Sequence, residues 1–312
     1  DRFPKKTQGD RKKAILSQVR YETIYLAIQE LHDTKAYPIT ELCDIAGIQR
    51  SSYYKWLNRK ESSNEQFNKT LLPMIKDAYE EKNGILGYRQ MTIKLNREND
   101  FHVNDKRTLR LMRILNLKSV CRRKKKNYIK STPEITAENV LNREFHADAF
   151  GKKWLTDVTE MKYSVDSKAY LSAILDLGDK SIVSFVLGHS NNNELVFRTF
   201  DIAHQEYPNA KPIFHSDRGF QYTTKTFKKK LDDAGMPQSM SRVSRCIDNG
   251  PMEAFWGMLK SEMYYLKKFN SYDELEAAVI DYIDYYNNRR YQKRLNCMTP
   301  MEYRQHLMNQ AA

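Results

Sequence analysis

Two hydrophobic periods divide the chain: apolar positions recur at helical spacing from residue 20 to about 117, and from Lys153 they alternate as in strands. In "YETIYLAIQELHD" the apolar positions are Ile24, Leu26, Ile28 and Leu31, and a breaker follows around Pro38. "ITELCDIAGIQRSSYYKWL" then reads as two helices about a turn at Gly47. Thr40 is the expected N-cap, and Leu42, Ile45 and Ala46 are expected to face inward. The second helix is expected to start near Ser51 or Ser52. This is a helix-turn-helix layout that presents Arg50, Ser51, Tyr54 and Lys55 to DNA. A helical hairpin with no DNA role has the same pattern.

A second helical unit is predicted over about Leu71 to Leu117, with a break near Phe101 and His102. Arg107, Arg110 and Arg113 recur three apart on one flank of its last helix, as a phosphate-tracking stripe or as a solvated face. Beyond it, "KWLTDVTEMKY" is a strand with Leu155, Asp157, Thr159 and Met161 on one face. "SVDSK" supplies a turn, "AYLSAILDLGD" and "SIVSFVLGH" two more strands, and "NNELVFRTFDIAHQEY" a helix. "KPIFHSD" is a short buried strand ending on Asp217. A final helix begins in "CIDNGPMEAFWGMLKSE", with Asp248 and Asn249 as capping groups and Pro251 in the first turn. Met252, Phe255, Trp256, Leu259 and Met263 form its apolar stripe, and Glu253, Gly257 and Lys260 share another face. The element order predicts a mixed α/β sheet with flanking helices, preceded by all-α DNA-binding domains.

Bulk properties narrow the classes. A chain of 312 residues suits two or three domains, and 40% hydrophobic content supports real cores. The sequence has no apolar run of membrane-spanning length and no secretory signal, so no membrane partner is expected. It opens on Asp1, which leaves open a longer product fused to an upstream frame. Cys43, Cys121, Cys246 and Cys297 lie far apart without a CxxC pair. That argues against a zinc or disulfide framework and fits a reducing cytoplasm.

The net charge of +13 is uneven. Residues 1–150 carry 30 Lys and Arg against 19 Asp and Glu, and the remainder carries 22 against 20. The basic front implies a polyanion partner. Its centre is the run Arg122, Arg123, Lys124, Lys125 and Lys126, whose like charges suit a linker that lies along a duplex and releases counterions. The expected domains are helix-turn-helix (1–60), a second helix-turn-helix-like unit (61–120), basic linker (121–150), catalytic core (151–265) and helical extension (266–312).

Three carboxylates carry the candidate chemistry. Asp157 sits mid-strand among apolar neighbours, where an unpaired carboxylate is costly, so it has either a cation nearby or a purpose. Asp217 sits past a strand's C-terminal end, where open α/β sheets place ligands, although a turn residue fits there too. Glu253, on the polar face of its helix, completes a set of hard oxygen donors suited to magnesium or manganese. Two such ions ~4 Å apart activate an attacking oxygen and stabilise a leaving one at phosphorus.

The stretches "WLTDVTEMKY", "FHSDRGFQYTT" and "SRCIDNGPMEAFWGMLKSEM" resemble the signatures of insertion-sequence transposases of the IS-three family, and the likeness covers nearly the whole chain. Thirty-five residues separate Asp217 from Glu253, the spacing of the D,D(35)E triad of that superfamily. The resemblance implies an RNase H-like core shared with retroviral integrases. It also implies a triad of Asp157, Asp217 and Glu253 holding two Mg²⁺ or Mn²⁺ ions, and binding to double-stranded DNA at terminal inverted repeats and at a target. The activity implied is strand cleavage followed by strand transfer, by at least two protomers, without a covalent protein–DNA intermediate. Ser244 stands where the family commonly has glycine. Arg218 and Gln221 are implied DNA contacts, and Lys260 is placed to hold a phosphate. His215 reads as a satisfied structural histidine and Asp176 as a neighbour of the centre. The tail from Tyr282 to Arg294 either touches DNA or a second subunit, or packs as core. The alternatives are a catalytically inactive, sequence-specific DNA-binding regulator and a nuclease without strand transfer.

Overall fold

The computed structural model describes residues 24–121, 140–141, 144–242 and 246–311. The cations Arg122 to Lys126 and Ser244 lie outside them. The chain forms two compact units, Asp1–Thr70 and Leu71–Ala312.

In the first unit, α1 (24–35) precedes α2 (Ile39–Ala46) and α3 (Arg50–Leu57) around a small core of Ile28, Leu42, Cys43 and Tyr53. Gly47 ends α2 at φ 67°, a left-handed turn that glycine adopts without a Cβ penalty. One inward position differs from the expectation. Ile45 is 85% exposed, because it falls off the stripe that its helix buries, and Cys43 fills the inward place beside Leu42. Thr40 is not the cap either: Pro38 stands at the N-cap with extended backbone and no side-chain acceptor, and the helix begins at Ile39.

In the second unit, the last turns of α4 (Ser63–Glu81) pack with α5 (Tyr88–Glu98) and α6 (Asp105–Ile114). Asn96 clasps the break between α5 and α6, donating to Val103 O (2.9 Å) and accepting from Val103 N (2.8 Å). Asn104 then caps α6 by accepting from Arg107 N.

The rest of this unit is a five-stranded sheet. β1 (Lys153–Tyr163), β2 (Ser167–Asp176) and β3 (Ile182–Gly188) are the three expected strands, and they form an antiparallel meander. After α7 (Asn193–Glu206), the strand β4 (Ile213–Ser216) returns parallel to β1. α8 (Lys225–Asp233) leads to β5 (Gln238–Met240), giving the order β3-β2-β1-β4-β5. The pattern does not single out β5, because three residues carry no readable period.

Each sheet face has its own core. α7 and α8 cover one with Trp154, Phe200, Phe214 and Phe227, whose rings meet edge-on at 5.6–5.7 Å for the three phenylalanines. The other is covered by α9 (Gly250–Glu262) and α10 (Tyr272–Asp284), followed by a π-turn (Tyr285–Arg289). Tyr282, Tyr285 and Tyr286 are buried there, so these tail aromatics pack as core. α11 (Pro300–Ala311) closes the chain through Arg304, whose Nε donates to buried Asp179 (2.5 Å) while its guanidinium lies 3.8 Å from the Phe150 ring centre.

Candidate active site

β1 and β4 run side by side only over Lys153–Leu155, paired with Ile213–His215, and then part. Asp157 follows two residues later on β1, and Asp217 two residues after His215, just past the end of β4. Parallel register therefore carries both carboxylates to the mouth of the same split. α9 packs on the sheet beside this split, with Met252, Phe255, Trp256 and Leu259 buried and Glu253 half-buried in its first turn.

Asp157 is held at both oxygens. Oδ1 accepts from Val158 N (2.9 Å), and Oδ2 accepts from Trp256 Nε1 (3.0 Å). No lysine or arginine among the described residues pairs with it. Burial and then the charge of Asp217 push its carboxyl up to about 7. The bonds from Trp256 and Val158 oppose that rise, and Glu253 adds a smaller upward push. Asp217 is also raised, by burial, against a hydrogen bond from Gly219 N to Oδ1 (2.9 Å). A Cβ on Gly219 would stand 3.0 Å from that same Asp217 Oδ1 and 2.8 Å from Gln221 Oε1, so the tight loop suits glycine. Tyr222, fully buried behind the pair, shares a 3.2 Å hydrogen bond with Thr156 Oγ1.

The donors are carboxylate oxygens throughout, and among the described residues no cation pairs with Asp157 or Asp217. Both facts suit a hard divalent ion. Among the described residues no three His, Cys, Asp or Glu side chains are drawn up as a ready-made metal site. The fit lies in donor type and charge.

Other candidate residues are placed as follows. Arg50, Ser51, Tyr54 and Lys55 all stand exposed on α3. On α6, Arg110 and Arg113 are exposed and Arg107 is half-buried. Arg218 donates from Nε to Ser241 O (2.8 Å). Gln221 is only 3% exposed and donates to Asn191 Oδ1, so its amide is engaged inside the protein. Lys260 directs Nζ to Glu160 O (3.2 Å). A Cβ on Gly257 would meet nothing within 4 Å. His215 is buried between Ser239 and Ser241, and burial lowers its ring to about 4.

Three expectations need correction. Asp248 does not cap α9: its buried carboxylate takes Arg242 N, Nε and Nη2 at 2.9–3.1 Å. Asn249 occupies the cap position without capping, and its Nδ2 instead reaches Thr156 O on β1 (3.2 Å). Asp176 is no neighbour of the centre. At the end of β2 it pairs with Trp154 of β1, three positions from Ala173, the partner of Asp157, and accepts from Gly151 N, Trp154 Nε1, Gly178 N and Asp179 N. Sequence reasoning also misses Trp256 as a donor to Asp157, since an indole on an apolar stripe reads as core.

Family models agree with this architecture. Integrase core domain models match residues 147–246 and 253–308, and an HTH-like domain model matches residues 66–125. An integrase core joined to an HTH-like domain defines a DNA-binding polynucleotidyl transferase. The InsK protein of Escherichia coli K12, described as a transposase of insertion sequence element IS150, is 38% identical over 269 residues, covering 86% of this chain and 94% of InsK. A transposase-like protein of Haemophilus influenzae is 39% identical over 219 residues, 70% of this chain and 100% of its own length. The InsF transposase of insertion sequence IS3A in Escherichia coli K12 is 25% identical over 258 residues, covering 81% and 88% of the two chains. The chain belongs to the insertion-sequence transposases of the IS-three family.

Proposed function

We propose that Asp157, Asp217 and Glu253 hold two divalent cations, magnesium or manganese, and that this centre cuts and joins DNA at the terminal inverted repeats of an insertion sequence. The observation that carries the reading is the crowding of Asp157 and Asp217 at the β1–β4 split. There, burial raises both carboxyls, the charge of Asp217 pushes Asp157 up further, and no ion pair among the described residues relieves them. When bound, the cations would supply Lewis-acid activation of the attacking oxygen and stabilisation of the leaving one. Trp256 and the Val158 amide orient Asp157 by fixing one oxygen each, and the Gly219 amide does the same for Asp217. Glu253 joins them from the first turn of α9. Water frees a 3′ hydroxyl at the element end, and that hydroxyl then attacks a second phosphodiester, exchanging one P–O bond for another. The exposed residues of α3 and the arginines of α6 hold the ends. Two or more protomers, related by a two-fold axis, bring the ends together.

Glu253→Gln tests the assignment at constant side-chain size. The expected outcome is loss of magnesium-dependent cleavage of an end-containing oligonucleotide, with end binding in a gel-shift assay kept within about twofold. Equal loss of binding and cleavage would sink the metal role. A wild-type chain that binds ends but never nicks them in magnesium or manganese is a regulator instead, and nicking without joined products marks a nuclease.

A further inference from the structure

Beyond Leu155, β1 runs without β4, yet its open edge is met by side chains. Alternate residues of a strand turn their backbone groups toward the same neighbour. Lys152 O faces the β4 side, where it accepts from Ile213 N (2.9 Å), so residues 156, 158, 160 and 162 face that side as well. Asn249 Nδ2 donates to Thr156 O (3.2 Å), and Lys260 Nζ donates to Glu160 O (3.2 Å). The Tyr264 hydroxyl accepts from Lys162 N (2.6 Å) and donates to Lys162 O (2.9 Å). Val158 N, between them, is taken by Asp157 itself. The three outside partners span α9 from its cap to its exit, on either side of Glu253.

We propose that Asn249, Lys260 and Tyr264 are positioning residues that fasten α9 to the free edge of β1 and thereby set the distance from Glu253 to Asp157. The proposal rests on the reading of those two carboxylates as parts of one metal centre. A helix satisfies its backbone internally, so α9 shares no ladder with the sheet. Apolar contact alone is non-directional. A slip of one residue moves a helix about 1.5 Å along its axis, whereas a catalytic constellation tolerates about 0.5 Å. Hydrogen bonds to fixed backbone atoms remove that freedom at both ends of the helix. The fasteners are themselves held. Asn249 is 5% exposed, and its Oδ1 finds no partner among the described residues, so the amide's contact is with Thr156. The Tyr264 ring lies parallel to Phe269, 7° between planes at 6.0 Å. Lys260 is thereby a strut to the strand.

The test uses the full chain carrying Tyr264→Phe, which keeps the ring and removes only the hydroxyl, and Asn249→Ala. Three quantities are read: hydrogen exchange at the Lys162 amide, Mn²⁺ affinity by calorimetry without DNA, and the kcat and KM of end cleavage. In Tyr264→Phe the Lys162 amide is expected to exchange faster. In both variants Mn²⁺ affinity and kcat should fall together by roughly tenfold, the scale of weakened support behind a metal ligand, with KM for end DNA nearly unchanged. Unchanged Mn²⁺ affinity despite faster exchange overturns the proposal, and so does a rise in KM that matches the fall in kcat. If Asn249→Ala does not fold, Tyr264→Phe decides alone. Asp157→Asn and Glu253→Gln are measured alongside. If wild-type chain binds Mn²⁺ and these two bind it equally well, the metal-centre reading has failed and the proposal falls with it. If they lose Mn²⁺ while Tyr264→Phe and Asn249→Ala keep it, only the fastening idea has failed.

Discussion

Gly257 lies mid-helix on the same face as Glu253, with open space where a Cβ would stand. A glycine there costs about 1 kcal/mol relative to alanine, and nothing in the protein requires it. Gly257→Ala should therefore raise the melting temperature by about 2–4 °C while weakening end-DNA binding or cleavage. A stabilised variant with wild-type DNA activity would show that the gap has no ligand. Asp157 gives a pH prediction. Its carboxyl lies at about 7 in the fold against an ordinary 3.8, so the folded state keeps a proton that the unfolded chain has released. Stability from this residue is full below 3.8 and is lost as pH rises to 7, at about 1.4 kcal/mol per pH unit before allowing for the part of the residue that remains in water. Magnesium should thus raise the melting temperature more at pH 8 than at pH 6, and equal protection at both would count against metal at Asp157. The carboxylate was legible in the sequence because a charge among apolar strand residues is conspicuous. Asn249 and Trp256 were not. Their contacts join residues 93 and 99 apart, and only the docking of α9 on β1 reveals them.

At the scale of elements, long periodic segments announced themselves. β1 begins and ends where the alternation does, and β2, β3, α7 and β4 follow in the predicted order. What stayed hidden was decided by tertiary contact. β5 exists because β4 offers an edge, α2 starts at Ile39 without a capping side chain, and Ile45 is turned outward by the register of its own helix. The exit of α9 rests on another long-range contact. Arg290 donates from Nε (2.9 Å) and Nη2 (2.6 Å) to Glu262, which also accepts from the Tyr282 hydroxyl (3.0 Å). Removing one partner of a buried pair strands the other, at a cost of about 3–5 kcal/mol. Arg290→Ala should therefore destabilise strongly in urea titration, and more than Glu262→Met combined with Arg290→Met. If the double variant is as unstable as the single one, the pair's cost lies in packing.

Across the whole molecule, charge divides the labour. The front 150 residues carry a net +11 and the rest +2, so the salt-sensitive share of DNA affinity is expected to lie with the front. Neutralising Arg122 to Lys126 should weaken binding to end and non-end duplexes alike. The slope of log affinity against log salt should flatten by up to about 0.9 for each phosphate that the run no longer neutralises. A weakening confined to end sequences would mean that the run reads bases. The membership of α11 in this unit has a consequence for synthesis. Asp179 is completely buried, and its counter-cation, Arg304, is made 125 residues later. A ribosome must therefore make the chain through residue 304 before Arg304 can meet that carboxylate. Products halted short of residue 304 carry an uncompensated charge in the hairpin between β2 and β3. Translation itself becomes a safeguard, because fragments long enough to hold all three candidate acids still lack the final brace of the sheet that aligns them.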